Sequence, residues 1–390
     1  MGRTTAGVFF LIAFLSLETG FVHADPLTLE KALEAALKNN ADIQKSELAA
    51  FQALRAKNNA WNLFLPTISA SLGITNSHPI QPAGDPSTLW SAGASANLQL
   101  TAAIPANIRL LIYKARSAEE AYDNTRRKIV TDVSTAFYSL LAENLNIEIL
   151  RNDLELKKQQ YEQTNKNYRN GLASELEMLN ALYAYQTAGP ALNDALVRYE
   201  QNRAAFLLLI GLDAAVELEG VIDVKLLDLP QVEELSARYR DNRYDVRAQV
   251  IALEQTKLAA QIGTLSGSLT RAPSINFSET LSLGSPNTGF SDDPTSSGRF
   301  SVSVSIPISA WIPGSSQSLN VKTLKEKTTQ EELNLDTVRI KADQDIRNQV
   351  DKIELIRENL ESAALNLRIT SRAYELSEQG YRGGMVSQTD

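Results

Sequence analysis

The sequence predicts a mainly helical protein with membrane β-strands, made of long antiparallel coiled-coil helical hairpins and four transmembrane strands. Three observations predict this class. A stretch of sequence occurs twice, four short segments have the period of a strand, and the long segments 106–170 and 316–379 contain no proline or glycine. Such an internal duplication determines the architecture.

The duplication joins Tyr161–Glu177 to Tyr374–Asp390 at a constant offset. The matched pairs are Tyr161 with Tyr374, Tyr168 with Tyr381, Arg169 with Arg382, Gly171 with Gly384, and Glu177 with Asp390. We predict two structural repeats, 25–228 and 229–390. The first copy continues into a further helix, so we expect the second repeat to lack its final return helix, through a fragment record, an interrupted gene or a separate chain.

The first residues have the pattern of a secretory signal peptide covering 1–24. Arg3 precedes the apolar run 6–17, and Val22-His23-Ala24 provides a small-residue cleavage site. A spanning helix needs about 20 apolar residues, and Glu18 interrupts this run too early.

Composition excludes several classes of protein. The chain has no cysteine, only two histidines and a formal net charge of -8. A disulfide scaffold, a thiolate metal site and a basic surface for nucleic acid are therefore excluded. No nucleophile motif or phosphate-binding glycine loop is present, so we expect no catalytic residue, no cofactor, no metal and no enzymatic activity. The acidic pair Asp343 and Asp345 is interpreted as solvated charge.

Four segments, 67–74, 94–104, 275–283 and 300–308, alternate apolar and polar residues. Each is close to the 9–11 residues, roughly, that a tilted strand needs to cross a bilayer. The polar positions are mostly Ser, Thr, Asn and Gln, whereas Glu279 interrupts the apolar side. A soluble sheet with one wet face remains possible, but a small neutral polar face suits a water-filled lumen whose opposite face meets lipid.

Helical periodicity covers 29–63 and 232–265, which Pro66 and Pro273 follow. The long segment 106–170 has a coiled-coil-like apolar seam and would extend about 90 Å as a helix.

A helical hairpin is predicted to turn at Gly171. Ser174 and Glu177 form a capping-box pattern for the return helix. That helix is expected to run to about Leu209 before Gly211, with a kink at Pro190.

Four strands cannot close a barrel by themselves, because the smallest bacterial barrels have about eight. Open sheet edges in hydrocarbon would leave backbone groups unpaired at several kcal/mol each. The chain is therefore predicted to oligomerise, giving eight strands from two copies or twelve from three. The number of strands is compatible with a dimer and with a trimer. The wider, twelve-stranded barrel is favoured because the small polar side chains would not fill the interior.

Four motifs of the chain match one known family: Leu29–Asp42, Leu65-Pro66, Tyr168–Gly171 with Ser174, and Tyr381–Gly384 with Ser387. Through these motifs the chain resembles TolC-type outer-membrane efflux proteins. The resemblance implies a homotrimer whose twelve-stranded barrel lies in the cell outer membrane and whose helices extend into the periplasm. It further implies an exit duct of a tripartite efflux or type I secretion system, working with a periplasmic adaptor (membrane fusion) protein and an inner-membrane pump.

The same resemblance implies two sets of site residues. Asp390, with its repeat mate Glu177, is the candidate pore constriction, although an acid near a helix start is also favoured by the helix dipole alone. The candidate adaptor contacts at the tips are Tyr168, Gly171, Tyr381 and Gly384, which are also expected as turn and packing residues. The alternative functions are a periplasmic coiled-coil structural protein and a non-functional truncated efflux protein.

Overall fold

The computed structural model describes residues 27–77, 87–213, 218–222, 229–265, 274–284, 295–306, 308 and 312–382. The predicted signal peptide 1–24 lies outside them. The chain divides into two compact units, Met1–Asn40 with Ile129–Asp223, and Ala41–Lys128 with Val224–Asp390. Each unit is described separately.

The described residues form long helices and one small sheet, as predicted. The helices are α1 (Leu29–Asn39), α2 (Ala41–Asn58), α3 (Ile104–Arg169), α4 (Glu175–Ile210), α5 (Val232–Tyr239), α6 (Tyr244–Leu265) and α7 (Ser316–Arg382). The strands are β1 (Thr67–Ser77), β2 (Ser87–Thr101), β3 (Ser274–Gly284) and β4 (Thr295–Ser305), and short 3-10 helices cover Ala60–Phe64 and Arg240–Asn242. The order of helices, two strands and a long helix therefore occurs twice.

The predicted helices 29–63 and 232–265 are each interrupted, which corrects the sequence interpretation. Asn40 adopts an extended conformation with ψ of 126° between α1 and α2. Arg243 does the same, with ψ of 146°, between the second 3-10 helix and α6. The two breaks fall at corresponding places in the repeats, because Asn40-Ala41-Asp42 and Arg243-Tyr244-Asp245 occupy equivalent positions. These breaks therefore support the duplication.

The first unit packs α1 and α4 with the part of α3 that follows Ile129. Its most buried side chains include Val133, Phe137, Leu140 and Ile210. The rings of Phe137 and Phe206 lie 6.3 Å apart. Asn40 is buried and donates from Nδ2 to the Leu209 carbonyl at 2.8 Å. This bond fixes the C-terminal end of α1 against the end of α4.

The second unit contains the sheet, in which β1, β2, β3 and β4 are consecutive antiparallel neighbours. The edges of the sheet are therefore β1 and β4. Strand β2 ends at Thr101 and β4 at Ser305, so both stop before the predicted limits of 104 and 308.

Helices α6 and α7 also pack within the second unit. Their shared core includes Val246, Leu253, Leu335 and Ala342. Further along α7, apolar side chains are exposed; they include Ile353, Leu355, Ile356, Leu365, Leu367, Ile369 and Leu376. Within the described residues, this apolar seam is uncovered.

Three details concern the helices themselves. Helix α4 closes at Gly211, whose φ of 70° is left-handed, as predicted. It continues through Pro190, and the kink there stays a prediction. Among the described residues, no helix combines the length and the apolar composition that crossing a bilayer requires.

Candidate functional site

The tip of the first hairpin is built by a glycine turn. Gly171 has φ of 72°, and its amide donates to the Tyr168 carbonyl at 2.9 Å. The Leu172 amide donates to the Asn167 carbonyl at 2.8 Å. This pair of bonds is a Schellman motif, which requires a left-handed residue that glycine adopts without steric penalty. The predicted turn at Gly171 is confirmed, and the adaptor contacts of Tyr168 and Gly171 stay predictions.

The predicted capping box begins the return helix α4. The Glu177 amide donates to Ser174 Oγ at 3.2 Å, while Glu177 Oε2 accepts from the Ser174 amide at 2.7 Å and from its hydroxyl at 3.1 Å. These bonds, above all the one from the Ser174 amide, lower the pKa of Glu177 below its usual value. Glu177 thus has a structural task at the tip, and its role in a pore constriction stays a prediction.

Apolar side chains surround this turn on the outside. We call Leu172, Leu176, Leu179 and Tyr183 the tip surface; all are exposed, with Leu172 at 77%. Further along the hairpin, the rings of Tyr161 and Tyr185 stack at 6.1 Å. The two helices of the hairpin thus make a ring contact near the tip, and exposed leucines lie at its end.

The second tip is described only in part. The backbone of Tyr381 lies in the last turn of α7. Gly384 and Asp390 lie outside the described residues, so the pairing of Asp390 with Glu177 in a pore constriction stays a prediction. Tyr374, the repeat mate of the stacked Tyr161, is exposed on α7.

The sheet has one apolar face. Residues opposite each other in an antiparallel pair share a face, and the register aligns Ile68 with Ala96, Leu98 with Phe277, and Phe277 with Val302. Large apolar side chains on this face are exposed, for example Ile68 at 79% and Leu72 at 88%. An exposed apolar surface of this extent requires a nonaqueous neighbour.

The opposite face carries small neutral polar side chains. Serine hydroxyls bond across neighbouring strands: Ser69 to Ser95 at 2.8 Å, Ser278 to Ser301 at 2.7 Å and Ser282 to Ser297 at 2.7 Å. The predicted two-faced sheet is thus confirmed. The only ionisable residues of the four strands are Glu279, in register with Phe300 of the apolar side, and Arg299, in register with Thr280 of the polar side.

Asp343 and Asp345 on α7 are not merely solvated, which corrects the interpretation of this pair. Asp343 accepts hydrogen bonds from Ser236 Oγ and, at 3.5 Å, from Arg240. Asp345 lies 3.0 Å from Arg243 Nη2.

Both acids contact the segment that joins α5 to α6, although they are only two positions apart on a helix. Sequence reasoning missed Arg240 and Arg243 as partners of these acids, and no local pattern marks them, because the contacts depend on how this segment packs against α7. Within the described parts of the chain, no group of His, Cys, Asp and Glu has an arrangement that could hold a metal ion.

Comparison with known proteins adds independent information. Residues 32–212 match the family model described as outer membrane efflux protein. The matched segment includes the capping box, the glycine tip and strands β1 and β2. The chain resembles outer membrane efflux proteins. Since these are transport proteins, the match supports the prediction that the chain is not an enzyme.

Several solved outer membrane proteins have a similar fold. The Campylobacter jejuni CmeC outer membrane channel aligns with TM-score 0.74 and 18% identity over 93% of this chain and 78% of that one. The open-state Neisseria gonorrhoeae MtrE outer membrane channel gives TM-score 0.69 and 18% identity over 93% and 80%. The Vibrio cholerae outer membrane protein VceC gives 0.68 and 15% over 92% and 87%.

These likenesses, all under one-fifth identity, confirm the predicted fold class of long helices with a four-stranded sheet. Together with the family match, they support an exit channel located in the cell outer membrane. They leave the assembly, its partners and its cargo to be inferred from the chain itself.

Proposed function

We propose that this chain forms the outer-membrane exit duct of a tripartite efflux or type I secretion system. In this proposal three copies close a twelve-stranded barrel, and the helical hairpins extend into the periplasm towards an adaptor protein and an inner-membrane pump. The observation that carries the proposal is the sheet, whose large apolar side chains lie exposed on one face while hydroxyls cover the other.

The two faces support a barrel wall. Lipid-facing and lumen-facing residues alternate along strands of outer-membrane barrels. Here Ile68, Leu72 and Ile74 are exposed on the apolar face of β1, while Ser69 bonds to Ser95 on the polar face. Water would be a poor neighbour for the first face, and hydrocarbon would be a poor neighbour for the second.

The open edges support assembly from several copies. Strands β1 and β4 are the outer strands of the sheet, and unpaired backbone groups in hydrocarbon cost several kcal/mol each, roughly. Pairing β1 of one copy with β4 of the next removes every edge if the ring closes. The exposed apolar seam of α7 supports further helix contacts in the assembly.

Cross-linking tests the ring. The chain has no cysteine, so one cysteine placed in β1, beginning with Ser71→Cys, and one in β4, beginning with Ser301→Cys, can be scanned in register. We expect a disulfide ladder that ends at three subunits in the outer-membrane fraction. The control pair Ser95→Cys and Thr280→Cys, which are opposite each other within one sheet, should cross-link only inside a chain.

Other outcomes of this experiment would contradict the proposal. A ladder that ends at two subunits would overturn the trimer. Recovery of uncross-linked protein in the detergent-free periplasmic fraction would favour the periplasmic coiled-coil structural protein instead.

Substitutions on the tip surface test the proposed contact with the adaptor protein. Leu172→Asp places a charge on an exposed apolar contact and should reduce efflux without reducing trimer yield, because burial of leucine at an interface is lost. Leu208→Asp is the matched control, since Leu208 is an exposed leucine of the same hairpin outside the tip surface. Equal efflux from both variants would mean that the tip surface does not contact a partner.

A further inference from the structure

Arg299 is the one ionised side chain that the register places on the polar side of the sheet. Ser69, Ser95, Thr280 and Arg299 are successive partners across β1, β2, β3 and β4. Residues paired in this way share a face. Among the residues of the four strands, every other polar-side position is neutral.

Among the described residues, no neighbour of Arg299 compensates its charge. On the same side of β4 lie Ser297 and Ser301, whose hydroxyls bond to Ser282 and Ser278 of β3. Within the part of the chain that the structure describes, no carboxylate lies at ion-pair distance from Arg299. Glu279 is nearby along the sheet, but it is in register with Phe300 on the other face.

We propose that Arg299 shifts the selectivity of the barrel lumen towards anions. This inference rests on the proposed function, because the polar face is the lumen only if the sheet is a barrel wall. Three subunits would place three guanidinium groups at one height, near the middle of β4. Rings of charged side chains are a general means by which channels select ions, and arginine favours anions.

The dimensions allow this charge to act across the lumen. Twelve strands about 4.8 Å apart, tilted by about 40°, enclose a barrel of roughly 12 Å radius. The screening length is about 10 Å at 0.1 M salt and about 30 Å at 0.01 M. Every permeating ion at low salt therefore passes within the field of the guanidinium groups.

The sign of the selectivity separates Arg299 from the predicted acidic constriction at the tips. A ring of carboxylates would favour cations, whereas a ring of guanidinium groups favours anions.

The experiment measures reversal potentials of the full chain in planar bilayers under a KCl gradient, with about 10 mM on the dilute side. We expect Arg299→Gln to lower the ratio of chloride to potassium permeability, Arg299→Lys to preserve it, and Arg299→Glu to lower it further. Glu279→Gln is the control, because it changes a charge of the same sheet on the face opposite to the lumen.

Chemical modification keeps the test valid if substitution impairs assembly. The chain lacks cysteine, so Arg299→Cys gives a single thiol that a cationic or an anionic methanethiosulfonate reagent can label in the open channel. The cationic label should restore the permeability ratio and the anionic label should reverse it. Ser301→Cys should also react from the aqueous lumen, and Phe300→Cys should not.

The outcomes distinguish the two proposals. Conducting channels whose permeability ratio is the same in wild type, Arg299→Gln and Arg299→Glu would overturn this inference and leave the exit duct intact. Reaction of Phe300→Cys rather than Ser301→Cys would also overturn it, since the lumen would then be the other face. A protein that assembles no channel under any condition would contradict the proposed function itself.

Discussion

Arg243 Nη2 lies 3.0 Å from Asp345 Oδ2, which joins the start of α6 to α7. The same guanidinium holds Asp245 through Nε at 3.0 Å and Nη2 at 2.8 Å. Such two-pronged contact is specific to the planar arginine fork. Arg243 therefore fixes the second helix break against the long helix.

Removing this contact should release the segment between α5 and α6. A double-mutant cycle of Arg243→Met and Asp345→Asn should give a coupling of about 0.2–1 kcal/mol, because both side chains are partly solvated. Hydrogen exchange of the segment measures the free energy of local opening. The control pair is Arg372 and Glu375 on α7, which lie 2.8 Å apart but have side chains that are 63% and 58% exposed. A coupling energy for this pair equal to that of Arg243 and Asp345 would contradict a special role for Arg243.

The same segment should open in acid. Arg243 lowers the pKa of Asp245 below its usual range, chiefly through their hydrogen bonds. A depressed carboxyl pKa stabilises the fold above the unfolded value of about 3.9, and this stability is lost as pH falls through the lower folded value. Exchange rates, corrected for the intrinsic effect of pH, should rise below about pH 4. Arg243→Met should weaken that dependence, and an unchanged profile would refute the assignment.

Two glycines of the first hairpin should respond in opposite directions to alanine. Gly171→Ala forces a side chain to φ of 72° and should destabilise the hairpin by about 1–2 kcal/mol, although no atom obstructs the new methyl group. Gly189→Ala, in the middle of α4 and equally unobstructed, should stabilise it by about 0.4–1 kcal/mol. Thermal unfolding in detergent compares them, and destabilisation by both would point to an undescribed contact at Gly189.

The packing of the first unit depends on Phe137. This side chain is 1% exposed and lies beside Phe206, so Phe137→Ala should reduce the free energy of unfolding by about 3–5 kcal/mol. The neighbouring Tyr138 is half-exposed, and Tyr138→Ala should have a much smaller effect. Denaturant titration measures both, and similar losses would mean that Tyr138 is covered in the assembly.

The sequence predicted those elements whose signals are local. Alternation over the segments 67–74, 275–283 and 300–308 identified β1, β3 and β4, and the pattern of Ser174 and Glu177 identified the start of α4. Gly171 identified the tip because the left-handed position that ends a helix is usually occupied by glycine. These features depend on residues that are close in the sequence, so the sequence alone predicts them.

The helix breaks and the acid pair were not predictable in the same way. The buried Asn40 amide bonds to a carbonyl 169 positions away, a partner that periodicity cannot indicate. Asp343 and Asp345 lie on different sides of α7. Asp343 bonds to Ser236 and Arg240, whereas Asp345 bonds to Arg243. Such contacts require the tertiary arrangement of α5 and α6.

The two outer strands of the sheet, β1 and β4, are different segments of the chain. Joining them between copies is a head-to-tail contact. A copy whose β4 backbone is blocked by proline, for instance at Val302, would still be recruited through β1 and would halt ring closure. Cells making both forms should therefore show dominant-negative inhibition of export.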